Sequence, residues 1–254
     1  MLDKKSVIIH SVFVAIQIIL TSIFLFADLT TRAVCGLNFS VVATAFLHAI
    51  VTSGKSPHKK VFLTAMAFTV VSDIFLTLRF MLNENPTDQL VAMFTFSVTQ
   101  ICYAIYLYLQ SDNKTLKKIS VAVRVVVSIL IMVISVVVLK DAITTLVVVT
   151  MFYFVNLVFN AIFAFIEFKR NPLLAIGLLF FIFCDIIIGL GVMRGMFPKV
   201  EESNFIYQLV YSFSYSWLFY SISQTLISLS ISQNLAFLRK GEKQIKKVKS
   251  VYHR

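Results

Sequence analysis

The chain has 254 residues, of which 59% are hydrophobic and only 14% are charged, and its mean hydropathy is +0.88. A soluble domain of this length does not need so much apolar surface, and continuous apolar runs of about 20 residues exclude a β-barrel, whose strands alternate. The net charge of +11 lies in short connections and in the C-terminal tail, which favours a role in membrane topology over nucleic-acid binding.

Eight membrane-spanning helices are predicted along the chain. Their connections are short, and most contain turn or helix-breaking residues such as Pro57, Asn113 and Pro198. The predicted spans are 7–27, 33–52, 61–82, 89–110, 118–139, 143–166, 173–193 and 206–232. Because no connection is long enough for a soluble domain, we predict an all-α polytopic bundle with one membrane domain, 1–236, and a basic tail, 237–254.

The distribution of basic residues predicts the orientation of this bundle. Eighteen of the 23 Lys and Arg residues fall on the side of the N-terminus, including Arg124 and the tail, so both termini are expected in the cytosol. The third helices of the two four-helix halves then run the same way, which indicates a weak four-plus-four parallel repeat. We expect the tail to lie on anionic lipid headgroups.

Two of the predicted spans carry a carboxylate near their middle, Asp73 in the third and Asp185 in the seventh. Each aspartate lies about 12 residues, or about 18 Å of helical rise, from the start of its span. An ionisable group at that depth costs at least ~2.5 kcal/mol, so the pair is a functional candidate rather than a neutral feature of the fold.

Other polar residues share this depth or these helix faces. Thr69, Asp73 and Thr77 form one stripe on the third helix, and Gly177 and Gly189 share a face with Asp185, which predicts close approach of a neighbouring helix. The candidates for binding substrate or orienting water are Gln100, Tyr103, Asn160, Tyr220 and Gln224. A single buried amide is more often a contact between helices than a functional group.

The remaining chemistry-bearing residues give no second site. Cys35, Cys102 and Cys184 are far apart and form no metal or disulfide pattern, so no metal and no cofactor is predicted. His10 and His48 lie near predicted cytosolic helix ends, where an interfacial role is the commoner one.

Two carboxyl groups in a medium of low dielectric do not both ionise, so one serves as an acid and the other as a base. The same arrangement suits a proton relay in a transporter. The pair therefore leaves open a hydrolase, a proton-coupled transporter or lipid carrier, and a lipid-binding protein without catalysis.

Four stretches together resemble the YhhN-type lysoplasmalogenase family. They are Ser72–Asp73 with Ile-Phe-Leu, Phe96-x-x-x-Gln100-x-x-Tyr103, Gly177 to Asp185, and Phe219–Tyr220-x-x-x-Gln224-x-Leu226–Ile227. The resemblance implies an eight-helix integral membrane hydrolase that cleaves the vinyl ether bond of lysoplasmalogens to a fatty aldehyde and a glycerophospho-headgroup. The family usually has a histidine at the position of Gln100 and a Lys-Pro pair at the position of Arg32–Ala33.

This implied reaction fits the chemistry of two buried carboxyl groups. A vinyl ether is hydrolysed by protonation at carbon, followed by capture of the oxocarbenium ion by water. Asp73 and Asp185 are expected to divide these roles, and a lysophospholipid-like amphiphile is the expected partner. The expected location is the inner membrane of a bacterium, or the endoplasmic reticulum of a eukaryote.

Overall fold

The computed structural model describes residues 4–54, 58–83, 85–140, 143–192 and 216–232, and all regular structure in these ranges is helical. We number the helices in chain order. They are α1 (Lys4–Phe26), α2 (Thr31–Thr52), α3 (Lys59–Asn83), α4 (Pro86–Gln110), α5 (Lys114–Leu139), α6 (Thr145–Ile166), α7 (Pro172–Val192) and α8 (216–232).

The helices from α1 to α7 are each long and apolar enough to cross a membrane. This confirms seven of the predicted spans and a multi-pass protein. The described part of α8 is shorter, and the predicted beginning of the eighth span, 206–215, lies outside the described residues. The predicted basic tail, 237–254, lies outside them as well.

Capping residues set where the helices begin. Asn85 accepts a hydrogen bond from the Thr87 N–H at 3.0 Å with Pro86 in the first helical position, so α4 begins before the predicted residue 89. Asn113 accepts from the Leu116 N–H at 2.9 Å, so α5 begins at Lys114 rather than at residue 118. A hydropathy window detects the apolar run but not the polar turn that precedes it.

The bundle has a densely packed centre and a lipid-facing periphery. α4 packs against both α3 and α6, and α7 packs on α6. In contrast, α1 and α5 expose long apolar side chains such as Ile8, Ile18, Val133 and Val137, all more than half exposed. Exposed surface of this kind is suited to hydrocarbon, as expected for a membrane protein.

α3 is not a regular α-helix along its whole length. It is α-helical over Lys59–Asp73, π-helical over Ile74–Phe80, and α-helical again over Met81–Asn83. The change occurs directly after Asp73. Turns of π-helix within an α-helix are often found at functional sites. The sequence pattern did not predict this departure.

One of the two predicted close approaches on α7 is confirmed, and the other stays a prediction. A Cβ atom at Gly177 would lie 2.8 Å from Ile227 Cγ1 and 3.2 Å from the Ser223 carbonyl oxygen, so α8 packs against the backbone of α7 there. No described atom lies within 4 Å of a Cβ built at Gly189, and residues 193–215, which follow α7, lie outside the described residues.

Ion pairs lie at both ends of the bundle. Arg170 bonds to Asp112, to Glu167 and to the Gln110 carbonyl oxygen, which places the α4–α5 and α6–α7 connections at one end. The hydrogen bond and the positive charge of Arg170 hold the pKa of Asp112 below its ordinary value. At the other end Arg79 pairs with Asp88 at 3.2 Å. The connections thus lie alternately at the two ends, as expected for helices that each cross the membrane once.

Candidate active site

Asp73 is buried in the centre of the bundle, with 1% of its surface exposed. Its Oδ2 atom accepts a hydrogen bond from the Tyr220 hydroxyl, which α8 brings against α3. Its Oδ1 atom is buried and has no hydrogen-bond partner among the described residues. The second oxygen is therefore the atom with bonding capacity left for a substrate or a proton.

Asp185 has a parallel arrangement on α7. Its Oδ2 atom accepts a hydrogen bond from the Tyr153 hydroxyl of α6. Asp185 is partly exposed, whereas Tyr153 is 4% exposed. Each aspartate thus has one tyrosine hydroxyl, supplied by another helix, as a hydrogen-bond partner.

A single phenylalanine ring joins the two aspartate–tyrosine pairs. The Phe181 ring lies 5.5 Å from the Tyr220 ring and 6.5 Å from the Tyr153 ring, measured between ring centroids. Asp73 and Asp185 are also close enough to interact electrostatically. The structure therefore brings the two predicted catalytic residues into one aromatic enclosure.

Hydroxyl groups surround Asp73 on its own helix and on α4. Thr69 and Thr77 are fully buried with it, so the predicted polar stripe of α3 faces the interior. Thr77 donates to the Asp73 carbonyl oxygen, and Ser72 donates to the Thr95 hydroxyl at 2.7 Å. These bonds fix the position of the Asp73 backbone in the region where α3 becomes π-helical.

Gln100 and Asn160 bond to each other, away from the carboxyl groups. The Asn160 amide donates to Gln100 Oε1 at 3.0 Å and to the Gln100 carbonyl oxygen at 2.8 Å. The pair is connected to the aspartates through α6, on which Asn160 lies about two turns from Tyr153. Gln100 is fully buried, and its Nε2 atom has no partner among the described residues.

Tyr103 and Gln224 are both buried but lie on different helices. Tyr103 of α4 is fully buried, its ring lies 5.8 Å from the Phe62 ring, and its hydroxyl has no hydrogen-bond partner among the described residues. Gln224 is one turn from Tyr220 on α8, and neither polar atom of its buried side chain has a partner within the described ranges. Gln224 is thus the better placed of the two to orient a bound molecule.

Two site residues were missed at the level of sequence. Tyr153 shares a helix face with Asn156 and Asn160, and this spacing was the signal that could have identified it. Arg124 was counted as a topology signal, but it is buried inside α5 and donates to both asparagines. Its position six residues inside a predicted span was the indication that it is not a loop residue.

The interpretation of His48 as an interfacial residue was wrong. His48 is 5% exposed, stacks on Phe13 with ring centroids 4.0 Å apart, and bonds to His10 at 2.8 Å and to Ser228 at 2.7 Å. These contacts fasten α1 and α2 to α8, because the Ser228 hydroxyl also donates to the Ala45 carbonyl oxygen. His48 therefore belongs to the packing between helices.

The arrangement offers acid–base chemistry from two carboxyl groups. Across the described ranges, no three His, Cys, Asp or Glu residues are grouped as metal ligands would be. A buried carboxyl group with a hydroxyl partner can keep a proton, and a second carboxyl group beside it can carry the charge.

The comparisons with known proteins agree with this architecture. Searches of curated proteins and of solved structures gave no match. A family model described as the YhhN family matches residues 13–231, a range that takes in most of α1, all of α2 to α7, and α8 up to Ile231. Because this match covers well over half of the chain, the protein belongs to the YhhN family.

Proposed function

We propose that the protein is a membrane-embedded hydrolase that cleaves the vinyl ether bond of lysoplasmalogens. The observation that carries the proposal is the pair of carboxyl groups, Asp73 and Asp185, each bonded to a tyrosine hydroxyl and joined through the Phe181 ring. Membership of the YhhN family supports the same class of reaction. The expected products are a fatty aldehyde and a glycerophospho-headgroup.

The two aspartates divide the chemistry in this proposal. Asp73, whose buried Oδ1 atom has no described partner, is assigned as the neutral acid that gives its proton to the double-bond carbon farther from the ether oxygen. Asp185 is assigned as the carboxylate that stabilises the oxocarbenium ion and takes a proton from the attacking water. The hemiacetal that results breaks its bond to the glycerol oxygen, which takes the proton held by Asp185. The hemiacetal hydroxyl gives its proton to Asp73 as the aldehyde forms, so both carboxyl groups return to their starting states.

The polar residues around the pair have supporting roles in this proposal. Tyr220 and Tyr153 hold the carboxyl groups in place, and Gln224 offers an unpaired amide within one turn of Tyr220. Gln100 and Asn160 lie farther along α4 and α6 and are assigned to the headgroup. Tyr103, whose ring contacts Phe62, is assigned to the wall of the enclosure.

A shallow crevice between α1, α2 and α8 lies next to the site. It encloses about 10 Å³, roughly the space of one water molecule, and Ser221, the neighbour of Tyr220, is among its lining residues. The other lining residues are mainly apolar: Leu20, Thr21, Phe24, Leu37, Asn38, Val41 and Trp217. A single-chain lipid that enters sideways from the bilayer at this place would have to move these helices apart.

A proton-coupled carrier remains the second candidate function, because of one observation on α3. The helix leaves α-helical geometry directly after Asp73, as helices do at many ion and substrate sites. A carrier would move its substrate unchanged, so this function differs from hydrolysis by the absence of a product.

The deciding experiment uses the purified full-length protein in a mild detergent. Three lysolipids with one headgroup but a vinyl ether, an ester or a saturated ether linkage are supplied, and fatty aldehyde and fatty acid are measured. We expect aldehyde from the vinyl ether alone. Uptake of intact lysolipid by proteoliposomes without aldehyde would favour the carrier, and fatty acid from the ester would show a different hydrolase.

A further inference from the structure

α5 carries a buried positive charge on a helix that otherwise faces lipid. Arg124 is 9% exposed, whereas Val125 and Val126 beside it are more than half exposed. Its Nη1 atom donates to Asn156 Oδ1 at 3.0 Å, and its Nη2 atom donates to Asn160 Oδ1 at 2.9 Å. The guanidinium group therefore points into the bundle, toward α6.

Neither partner of Arg124 neutralises its charge. Both are uncharged amides, and the rings of Tyr108 and Phe159, each 5.7 Å from the guanidinium carbon, provide only cation–π contact. Two other described arginines differ in this respect, since Arg79 and Arg170 pair with carboxylates. The Nε atom of Arg124 is buried and has no hydrogen-bond partner among the described residues.

A contact between helices does not need a charge. A charged group at a helix centre in a membrane costs ~2.5–3.5 kcal/mol, and an amide side chain would bond to Asn156 and Asn160 without that cost. An arginine with unused donors and no carboxylate is instead what a buried anion requires, because the planar guanidinium matches the oxygens of a phosphate.

We propose that Arg124, held by Asn156 and Asn160, binds the phosphodiester group of the single-chain lipid whose vinyl ether is cleaved between the aspartates. The inference rests on the proposed function and adds the site that recognises the headgroup. The proposed ligand group is a phosphate joined to glycerol, not free phosphate. The two asparagines set the rotation of the guanidinium and leave its remaining N–H groups for the ligand.

The spacing along α6 agrees with the dimensions of such a lipid. Asn156 and Asn160 follow Tyr153, the partner of Asp185, by about 4.5 Å and about 10.5 Å of helical rise. In a lysoplasmalogen the vinyl ether oxygen and the phosphorus atom are five bonds apart, roughly 6 Å in an extended conformation. A phosphate at Arg124 would therefore place the vinyl ether at the level of the carboxyl groups.

The first test measures substrate discrimination. Wild type, Arg124→Gln and the control Lys118→Gln, which removes an exposed charge from the same helix, are assayed on a lysoplasmalogen and on the 1-alkenylglycerol that lacks the phosphate. We expect Arg124→Gln to lower the ratio of the two kcat/KM values by about 10-fold or more, mostly through KM, and Lys118→Gln to keep it. An unchanged ratio in Arg124→Gln overturns the inference and leaves the aspartate assignment standing.

The second test does not require turnover and uses a variant that keeps the helix contact. Asn156→Asp gives Arg124 an internal carboxylate, so a purely structural arginine would hold α5 more firmly. Binding of a saturated-ether lysophospholipid is measured by thermal stabilisation of purified protein. We expect Asn156→Asp and Arg124→Gln each to weaken it by about 10-fold or more, with Lys118→Gln at the wild-type level. Wild-type binding in Asn156→Asp overturns the inference.

Competition then identifies the source of the anion. Inorganic phosphate, a diacyl phosphatidylglycerol and the saturated 1-alkylglycerol are each added against the saturated-ether lysophospholipid. We expect all three to compete at least about 10-fold more weakly than unlabelled lysophospholipid. Equal competition by phosphate would show a free-anion site, and equal competition by the diacyl lipid would show a bilayer-lipid site, and either result overturns the assignment to the substrate headgroup.

Discussion

The hydroxyl group of Tyr220 donates a hydrogen bond to the carboxyl group of Asp73, 147 positions earlier in the chain. This bond joins α8 to α3 at the centre of the bundle, beside the Trp217 and Phe181 rings, each 5.5 Å from the ring of Tyr220. It makes the last described helix part of the site rather than a peripheral anchor.

Replacement of either aspartate is expected to abolish aldehyde release. Asp73→Asn removes the acid and Asp185→Asn removes the base, while each amide keeps the size of the carboxyl group and can still accept from its tyrosine. Activity should fall at least ~100-fold. Asp28→Asn, which changes an exposed carboxylate between α1 and α2, is the control and should leave activity at the wild-type level. Activity retained in both Asp73→Asn and Asp185→Asn would contradict the assignment.

The two tyrosines should matter through their hydroxyl groups and not through their rings. Tyr220→Phe and Tyr153→Phe keep the contacts with Phe181 but free the carboxyl group from its only described side-chain donor. We expect kcat to fall by about 10- to 100-fold with little change in thermal stability. Ser230→Ala, which removes a buried hydroxyl that bonds to the Ile227 carbonyl on α8, provides the comparison. Equal losses in all three variants would indicate a general packing defect.

The close approach of α7 and α8 predicts opposite outcomes for two glycines. In Gly177→Ala the new methyl group would meet Ile227 at 2.8 Å and backbone atoms of α8 at 3.1 and 3.2 Å, so the helices must separate. The cost of overpacking, ~1–3 kcal/mol, exceeds the gain in helix propensity of up to ~1 kcal/mol. Gly189→Ala meets no described atom within 4 Å and should be neutral or slightly stabilising. The measurement is the free energy of unfolding of both variants and of the wild type in mixed micelles.

The connections at one end of the bundle predict a dependence of stability on Arg170. Arg170→Ala removes contacts to Asp112, Glu167 and the Gln110 carbonyl oxygen, so it should lower the melting temperature more than Asp112→Asn does. Because Arg170 lowers the pKa of Asp112 in the folded protein, this pair stabilises the fold above the ordinary carboxyl pKa. Its contribution is lost as the pH falls through the lowered value. The difference between wild type and Asp112→Asn should therefore vanish in acid, and a difference that grows in acid would contradict the pairing.

Hydropathy alone predicts most of the fold, because a lipid solvent requires long apolar helices and few alternatives exist. It places Asp73 and Asp185 at one depth, and the structure brings them into one enclosure. The helix beginnings differ by a few residues where Asn85 and Asn113 cap the next helix. Capping is a local polar contact and does not appear in an average over apolar residues.

The partners of the site residues could not be read from the sequence. Spacing shows that Asn156 and Asn160 share a helix face, but which residues they contact depends on how α5 is rotated against α6. Arg124 counts as a topology signal in the sequence, and only the structure shows that it is buried. In the same way, the sequence shows Tyr153 only as one of several polar residues on α6. Its bond to Asp185 depends on how α7 packs against α6.

The π-helical segment of α3 holds about one residue more than an α-helix would need for the same turns. Removal of one residue between Ile74 and Phe80 would therefore return the segment to α-helical geometry while Asp73 and the later side chains keep nearly the same angular positions. The ion pair of Arg79 with Asp88 would be retained, and the change would be confined to the backbone directly after Asp73. Such a deletion would separate what the wider turn does for the carboxyl group from what α3 does for the bundle.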